Sequence, residues 1–328
     1  MEHTATTARR RGGGRAGAAM RRGSAAIVQA DWAQPVTLDA PTEPLTDAGV
    51  DRIHDAAMRV LEEIGITFLN PDAVHVLRRA VARVGVKVVG MDRAMVSGDG
   101  RRAPGSFTIT PRNPNRSLTF GGRSLAFGTV ASPPNYWDLD LGRKVPGTRA
   151  HCADLLRLAQ SFNCLHFIAG YPVEPVDVHA SVRHLDALFD MLTLTDKAVH
   201  AYALGPERIE DGMEMVRLAA GLSQDAFEAT PRMFTNINST SPLKHDWPML
   251  DGWMRLARHG QACMVTPLTL AGAMAPVTMA GAVVQSVAEA LSAIVLAQAI
   301  RPGVPCGIGT FTANVDMRTG APAFGTPE

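Results

Sequence analysis

The 328-residue chain is short of several things that would name a chemistry quickly. It has four cysteines, Cys152, Cys164, Cys263 and Cys306, none in a CxxC pair and none with a histidine at zinc-finger spacing. Neither a zinc site nor a redox motif is written here, and so few thiols in so long a chain suggest no disulfide framework but a reduced, cytoplasmic setting. Charge of one sign is also lacking: 32 Lys and Arg balance 31 Asp and Glu, which leaves no global footprint for nucleic acid or anionic membrane. No Gly-x-Gly-x-x-Gly turn follows the early strands, and there is no P-loop, nucleophile elbow or HExxH, so dinucleotide, phosphate, serine-hydrolase and zincin chemistries have no motif in place to stand on. Charge is absent between Gly260 and Ala288, but Pro267, Pro276, Gly272 and Gly281 break that stretch, which suits a strand, a loop and a core helix better than a membrane span.

What is present falls into three parts. Residues 1–45 begin with Arg9, Arg10, Arg11, Arg15, Arg21 and Arg22 among Gly, Ala, Ser and Thr, too poor in large apolar groups to fold alone, and continue as a linker with Pro35, Pro41 and Pro44. The arginines could serve as a nucleic-acid arm or transit peptide, but a solvated tail is the simpler expectation. Residues 46–123 start with two helices. Thr46 caps the first and Gly65 ends it; Asn70 and Pro71 open the second, with Gly85 as its stop. Strand-like pieces follow at 107–110, 118–120 and 136–141.

From residue 124 to 328 a unit repeats. Short apolar runs without alternation occur at 124–130, 164–171, 197–203, 232–238, 261–266 and 305–311, with helical stretches between them, among them 178–195, 206–222, 246–259 and 276–300. That pattern indicates a parallel sheet covered by helices, either a closed (β/α)8 TIM-type barrel or an open doubly wound sheet. Two features favour the barrel: no dinucleotide turn follows the early strands, and polar or aromatic residues stand at the carboxyl end of nearly every run, where a barrel carries its active site. At about 36 residues per unit, six of eight strands are visible, and two more would need on the order of 70 residues. The expectation is an incomplete barrel with an N-terminal helical layer.

The candidate substrate-binding residues are those at the strand ends: Phe127, Thr129, Tyr171, His200, Tyr202, Asn236, Asn238, Thr310 and Phe311. Only 5% of the chain is aromatic, so aromatics gathered at one end are informative. Aromatic walls suit a quaternary ammonium, which donates no hydrogen bond and is held by cation–π attraction. The competing structural reading makes Phe127 and Phe311 core, the tyrosines barrel fillers and His200 a hydrogen-bonded strand histidine, with His166 structural as well. Glu289 interrupts an apolar helix and must be paired or hydrogen-bonded. Its expected role is buried support, with catalysis the alternative.

Several segments then resemble one family: DRIHDAAMRVLEEIGI (51–66), LAFGT (125–129), STSPLK (239–244), APVTMAGAVVQSVAEALSAIVLAQAIRPG (275–303) and DMRTGAPAFGTPE (316–328). Together they resemble the trimethylamine:corrinoid methyltransferases, in particular bacterial relatives of the glycine betaine type that lack pyrrolysine. The resemblance implies a barrel enzyme that moves a methyl group from a methylated amine to cobalt. The corrinoid (cobalamin) would be supplied by a separate corrinoid-binding protein, with no cofactor bound by this chain and no metal ligands of its own. It also implies C-terminal truncation and a homo-oligomer at full length. Where relatives carry an amphipathic helix this chain reads MVSGDGRRAPGS (95–106), whose glycines should weaken it.

Leaving-group chemistry separates the substrates. A quaternary ammonium departs as a neutral amine and needs no acid, whereas trimethylamine must be activated, and no acid is visible at the strand ends. A barrel lyase or aldolase is the alternative enzyme, but it would want a strand-end lysine, and Lys197 begins its strand. An inactive fragment or a scaffold that docks a corrinoid protein is the non-enzymatic alternative.

Overall fold

The computed structural model describes residues 28–80 and 82–325. The chain divides between Trp32 and Ala33, and of the first part only 28–32 is described, without helix or strand. The Arg-rich tail expected at the start therefore lies outside the described residues, Val28 excepted. The linker does not hang free. Pro35 O accepts from Leu125 N, Thr37 N donates to Arg123 O, and Val36 bridges Ser124 in antiparallel fashion, so 33–39 runs as an edge along the first strand segment. Gln34 pins the same stretch by bonding both the N–H and the carbonyl of Thr119.

The N-terminal layer follows its caps. Thr46 accepts from Gly49 N and opens α1 (Asp47–Arg59), which runs into a π-helical turn at Val60–Ile64. Gly65 ends it at φ 81°, and a Cβ there would meet Val89 O at 2.7 Å, so the close approach to the next strand requires glycine. After β1 (Ile66–Phe68), Asn70 accepts from Asp72 N and Ala73 N to cap α2 (Pro71–Arg79). That helix stops before Gly85, because β2 (Arg83–Val84) turns back on β3 (Val88–Gly90). The glycine-bearing segment is helical after all, as α3 (Arg93–Gly100). Asp92 caps it by accepting from Met95 N, and Val96 is buried, so a cap and packing outweigh a propensity penalty of about 1 kcal/mol per glycine.

Two hairpins come next: β4 (Ser106–Ile109) with β5 (Leu118–Gly121), then β6 (Asn135–Asp138) with β7 (Arg143–Pro146). Beyond them the chain alternates as α4 (Arg149–Ser161), β8 (Phe167–Ile168), α5 (Arg183–Leu194), β9 (Ala198–Val199), α6 (Pro206–Ala219), α7 (Gln224–Glu228) and β10 (Phe234–Ile237). It continues with β11 (Lys244–His245), α8 (Trp247–Arg258), β12 (Ala262–Val265), β13 (Leu270–Ala271), α9 (Met279–Ile300), β14 (Cys306–Ile308) and β15 (Ala313–Asn314). Parallel pairing passes from Gly128 to Phe167, from Phe167 to Ala198, from His200 to Phe234, from Phe234 to Ala262 and from Cys263 to Cys306. The six expected segments thus pair in sequence order, each crossing made by helix. The fold is mixed α/β, and no described hydrogen bond joins the first segment to β14. Among the described residues the strands do not close into a ring.

Two cores result. One lies between the parallel ribbon and its helices, with Ile168, Val199, Ile237, Val265 and Trp253. The other lies under the N-terminal layer, where Leu61, Phe68 and Leu77 meet Leu250, Met254 and Leu296. Because β11 pairs with β1, the loop after β10 is stitched into the N-terminal sheet. Helix α9 serves both cores, which is why it is apolar on all sides. It is long and apolar enough to cross a membrane by length and composition, but most of it is buried inside this fold. Trp253 is fully buried and donates from Nε1 to Ala293 O at 3.2 Å, joining α8 to α9. Trp253→Ala is expected to cost about 3–5 kcal/mol in denaturant unfolding; a loss below about 1 kcal/mol would show that this junction is not a core.

Candidate functional site

Strand geometry puts the residues just past β8 and β9 side by side. Tyr171 and Tyr202 meet edge to face with ring centroids 4.9 Å apart, and the His200 ring stands against Tyr202 at 4.7 Å and Phe234 at 5.4 Å. Below them Phe234 contacts Phe167, and Phe120 of the β4–β5 hairpin touches both, stacked in turn on Phe107. A column of aromatic rings therefore fills the ribbon from its amino-terminal end up to the tyrosines. Edge-to-face contacts of this kind hold ring orientation beyond simple area burial.

The tyrosines are set by the loops around them. The Tyr202 hydroxyl is hydrogen-bonded with Ser132 Oγ, and Ser132 N donates to Tyr171 O at 2.7 Å. Ser132 has φ 51°, a left-handed conformation that costs energy in a residue with a Cβ. Gly170 lies under the Tyr202 hydroxyl, where a Cβ would come within 2.2 Å of that oxygen. Burial pushes both phenols above their ordinary range, Tyr171 with further help from the neighbouring Tyr202, so both remain neutral. Neither Ser132 nor Gly170 stands out in the sequence, since a loop reading SPPN and a strand-end glycine are ordinary turn chemistry.

His200 is 2% exposed, and burial pushes its imidazole down to about 3. Its Nε2 accepts from Asn236 N at 3.0 Å, so the proton sits on Nδ1, which has no protein partner. A small cavity beside Tyr171, His184, His200, Tyr202 and Arg208 measures about 10 Å³, enough for one water. A ligand of betaine size does not fit inside it. Tyr171 and His200 are buried and Tyr202 is half-buried beside it, whereas Asn236 in β10 is exposed.

The other expected residues are distributed as follows. Thr129 Oγ1 accepts from Ala169 N, tying the first two strand ends together. Asn238 donates to Thr266 O at 2.7 Å, tying the ends of β10 and β12. Thr310 bonds Thr312, which bonds Thr269. Phe311 is half exposed against Phe324, and Phe127 is half exposed against His166. Neither phenylalanine makes a ring contact with the tyrosine pair among the described residues. His166 is structural, accepting from Phe127 N through Nδ1 and bonding Ala33 O through Nε2. Lys197 also has a structural place at the amino end of β9. Its ammonium donates to Ala159 O and Phe162 O at the end of α4, and burial lowers it to about 8.

Glu289 is fully buried, and each of its carboxylate oxygens accepts two hydrogen bonds. Oε2 accepts from Ser239 and Ser241, and Oε1 from Leu243 N at 2.7 Å and Gln285 Nε2 at 2.9 Å. Gln285 also donates to Met274 O, so one turn of α9 holds the loops after both β10 and β12. His245, pushed down to about 4 by burial, bonds the Glu289 carbonyl and Ser292.

A family model described as trimethylamine methyltransferase (MTTB) matches residues 10–328. The chain belongs to this family. It is 36% identical over 284 residues to glycine betaine methyltransferase of Desulfitobacterium hafniense (strain Y51), covering 87% of this chain and 59% of that protein. It is 26% identical to trimethylamine methyltransferase MttB of Desulfitobacterium hafniense (strain DSM 10664 / DCB-2), over 86% of this chain and 57% of the relative. With proline betaine:corrinoid methyltransferase of Eubacterium limosum it shares 25% identity, over 85% of this chain and 58% of the relative. The chain thus spans about three-fifths of the length of these relatives. The family resemblance read from residues 51–66 and 275–328 is confirmed.

Two of the buried histidines, His200 and His245, make this MTTB-family chain sensitive to acid. Each is neutral when folded, at about 3 for His200 and about 4 for His245, against roughly 6.5 when unfolded. The unfolded state therefore binds more protons below pH 6.5, and stability is lost as pH falls through that window. Each histidine should cost about 2 kcal/mol by pH 5 relative to pH 7. In urea unfolding, His245→Gln should reduce the slope of stability between pH 6 and 5 by about 1.4 kcal/mol per pH unit. An unchanged slope would mean that His245 is not buried neutral.

Proposed function

We propose that this chain carries the methyl-donor side of a corrinoid-dependent methyltransferase for a quaternary, betaine-type amine. Its framework is six strands of a (β/α)8 barrel, a reading supported by parallel pairing in sequence order with a helix at each crossing. The observation that carries the functional reading is the neutral aromatic wall of Tyr171, Tyr202 and His200 at the carboxyl ends of β8 and β9. Faces of neutral rings attract a permanent cation that offers no hydrogen-bond donor. The 36% identity to a glycine betaine methyltransferase supports the same class of donor.

In this reading the donor's trimethylammonium group rests against the tyrosines on the inward face of the ribbon. Asn236, Asn238 and Thr129 line the adjoining strand ends, with Thr310, Phe311 and Phe127 as outlying candidates. The corrinoid carried by a partner protein supplies a nucleophilic cobalt(I) that takes the methyl group. The N–CH3 bond breaks, its electron pair stays on nitrogen, and a neutral tertiary amine leaves. No proton is required, which suits an imidazole held neutral with Nε2 engaged by Asn236 N. The chain's contribution is orientation of the methyl carbon in line with the incoming nucleophile and exclusion of water.

The test is dimethylglycine formation from glycine betaine by the full-length protein with a cobalt(I) corrinoid protein. Tyr202→Ala should lose about 0.5–2 kcal/mol of donor binding, up to roughly thirtyfold in kcat/KM, with the unfolding transition retained. Turnover of trimethylamine with none of betaine would reject the quaternary donor, and unchanged betaine turnover in the variant would reject the wall.

A further inference from the structure

The Glu289 carboxylate is balanced by hydrogen bonds but not by charge. Its four donors are two hydroxyls, a backbone amide and a side-chain amide, all neutral. Two bonds accepted at each oxygen is the pattern of an ionised carboxylate, which only accepts. None of the ion pairs among the described residues includes Glu289. Lys244, on the loop that the carboxylate holds, forms no ion pair with it, and His245 bonds the Glu289 carbonyl and not its carboxylate. A buried anion that has hydrogen bonds but no countercharge is screened poorly, so its field extends beyond the contacts that stabilise it.

The position of that field matters. Ser239, bonded to the carboxylate, directly follows Asn238, whose side chain closes the ends of β10 and β12. The carboxylate is therefore hydrogen-bonded to the residue next in the chain to a strand-end side chain. A role confined to bracing would be met equally by a neutral amide, since a glutamine could accept from Leu243 and Gln285 while donating to the two serines. A carboxylate adds only charge to that arrangement, at the cost of burying it.

We propose that Glu289 is a specificity-determining residue whose uncompensated charge selects a methyl donor bearing a permanent positive charge on nitrogen. The proposal rests on the methylated-amine reading above and adds the electrostatic basis of its selectivity. A unit charge about 10 Å from a cation, at an effective dielectric of about 20, changes affinity on the order of tenfold.

The test compares two ligands of one shape by titration calorimetry on the protein: glycine betaine and its carbon isostere 3,3-dimethylbutyrate, which differ only in the charged nitrogen. The unmodified protein should prefer betaine by at least roughly tenfold, and Glu289→Gln should shrink that preference on the order of tenfold. Thr240→Lys places an ammonium at an exposed position of the same loop and should shrink the preference in the same direction, which provides the test should Glu289→Gln not fold. Equal weakening of both ligands, or an unchanged ratio in the variants, would overturn the proposal and leave Glu289 as a brace. Failure of the unmodified protein to bind either ligand would remove the methylated-amine reading and this proposal with it.

Discussion

A carboxylate taken fully out of water needs donors for both oxygens, and Glu289 finds them in two separate stretches of chain. The serines and the Leu243 amide come from the loop after β10, Gln285 comes from α9 itself, and Gln285 reaches on to Met274 in the loop after β12. That same β10 loop supplies β11, whose pairing with β1 joins the N-terminal layer to the ribbon. Removing the carboxylate would leave several buried donors unpaired at once, each costing about 1–3 kcal/mol. The conformation of these loops, and with the β11–β1 pairing part of the attachment of one layer to the other, thus converge on the hydrogen bonds of a single side chain.

Around it the ribbon is finished with rings and neutral dipoles. Phe107 and Phe120 plug the amino-terminal end, Phe167 and Phe234 continue the column, and His200 with the two tyrosines completes it. Burial keeps His200 neutral, and its Nε2 is spent on the Asn236 amide. Such a wall has little to offer an anion or a proton transfer. In the function proposed above, its neutral ring faces attract a cation with an apolar surface, and the Glu289 charge is proposed to act in the same sense.

Much of this was legible in one dimension. Thr46, Asn70 and Gly65 mark their helix ends because capping is a local bargain between a side chain and the nearest free backbone groups. The six apolar runs announce parallel strands because a strand buried on both faces cannot alternate. The edge pairing at 33–39 and the helix that persists through Gly100, in the first half of 95–106, were not legible for the opposite reason: both are decided by partners far along the chain. The strand-end aromatics were visible as a set, but their grouping was not. Tyr171, His200 and Tyr202 converge because β8 and β9 are hydrogen-bonded neighbours, whereas Phe127 meets His166 and Phe311 meets Phe324.

The sequence by itself determined the first two helices, the order of the six apolar runs and the helices between them, and the need for Glu289 to have partners, since each follows from local propensity, periodicity or the cost of burying charge, while the resemblance of particular segments gave the family. Tertiary structure alone decided who those partners are, that Ser132 takes a left-handed turn beneath the Tyr202 hydroxyl, and that His200 presents only one engaged nitrogen. Those outcomes depend on loops that meet only when parallel strands lie in register, and the register of a sheet is a property of pairs of strands that no single segment carries.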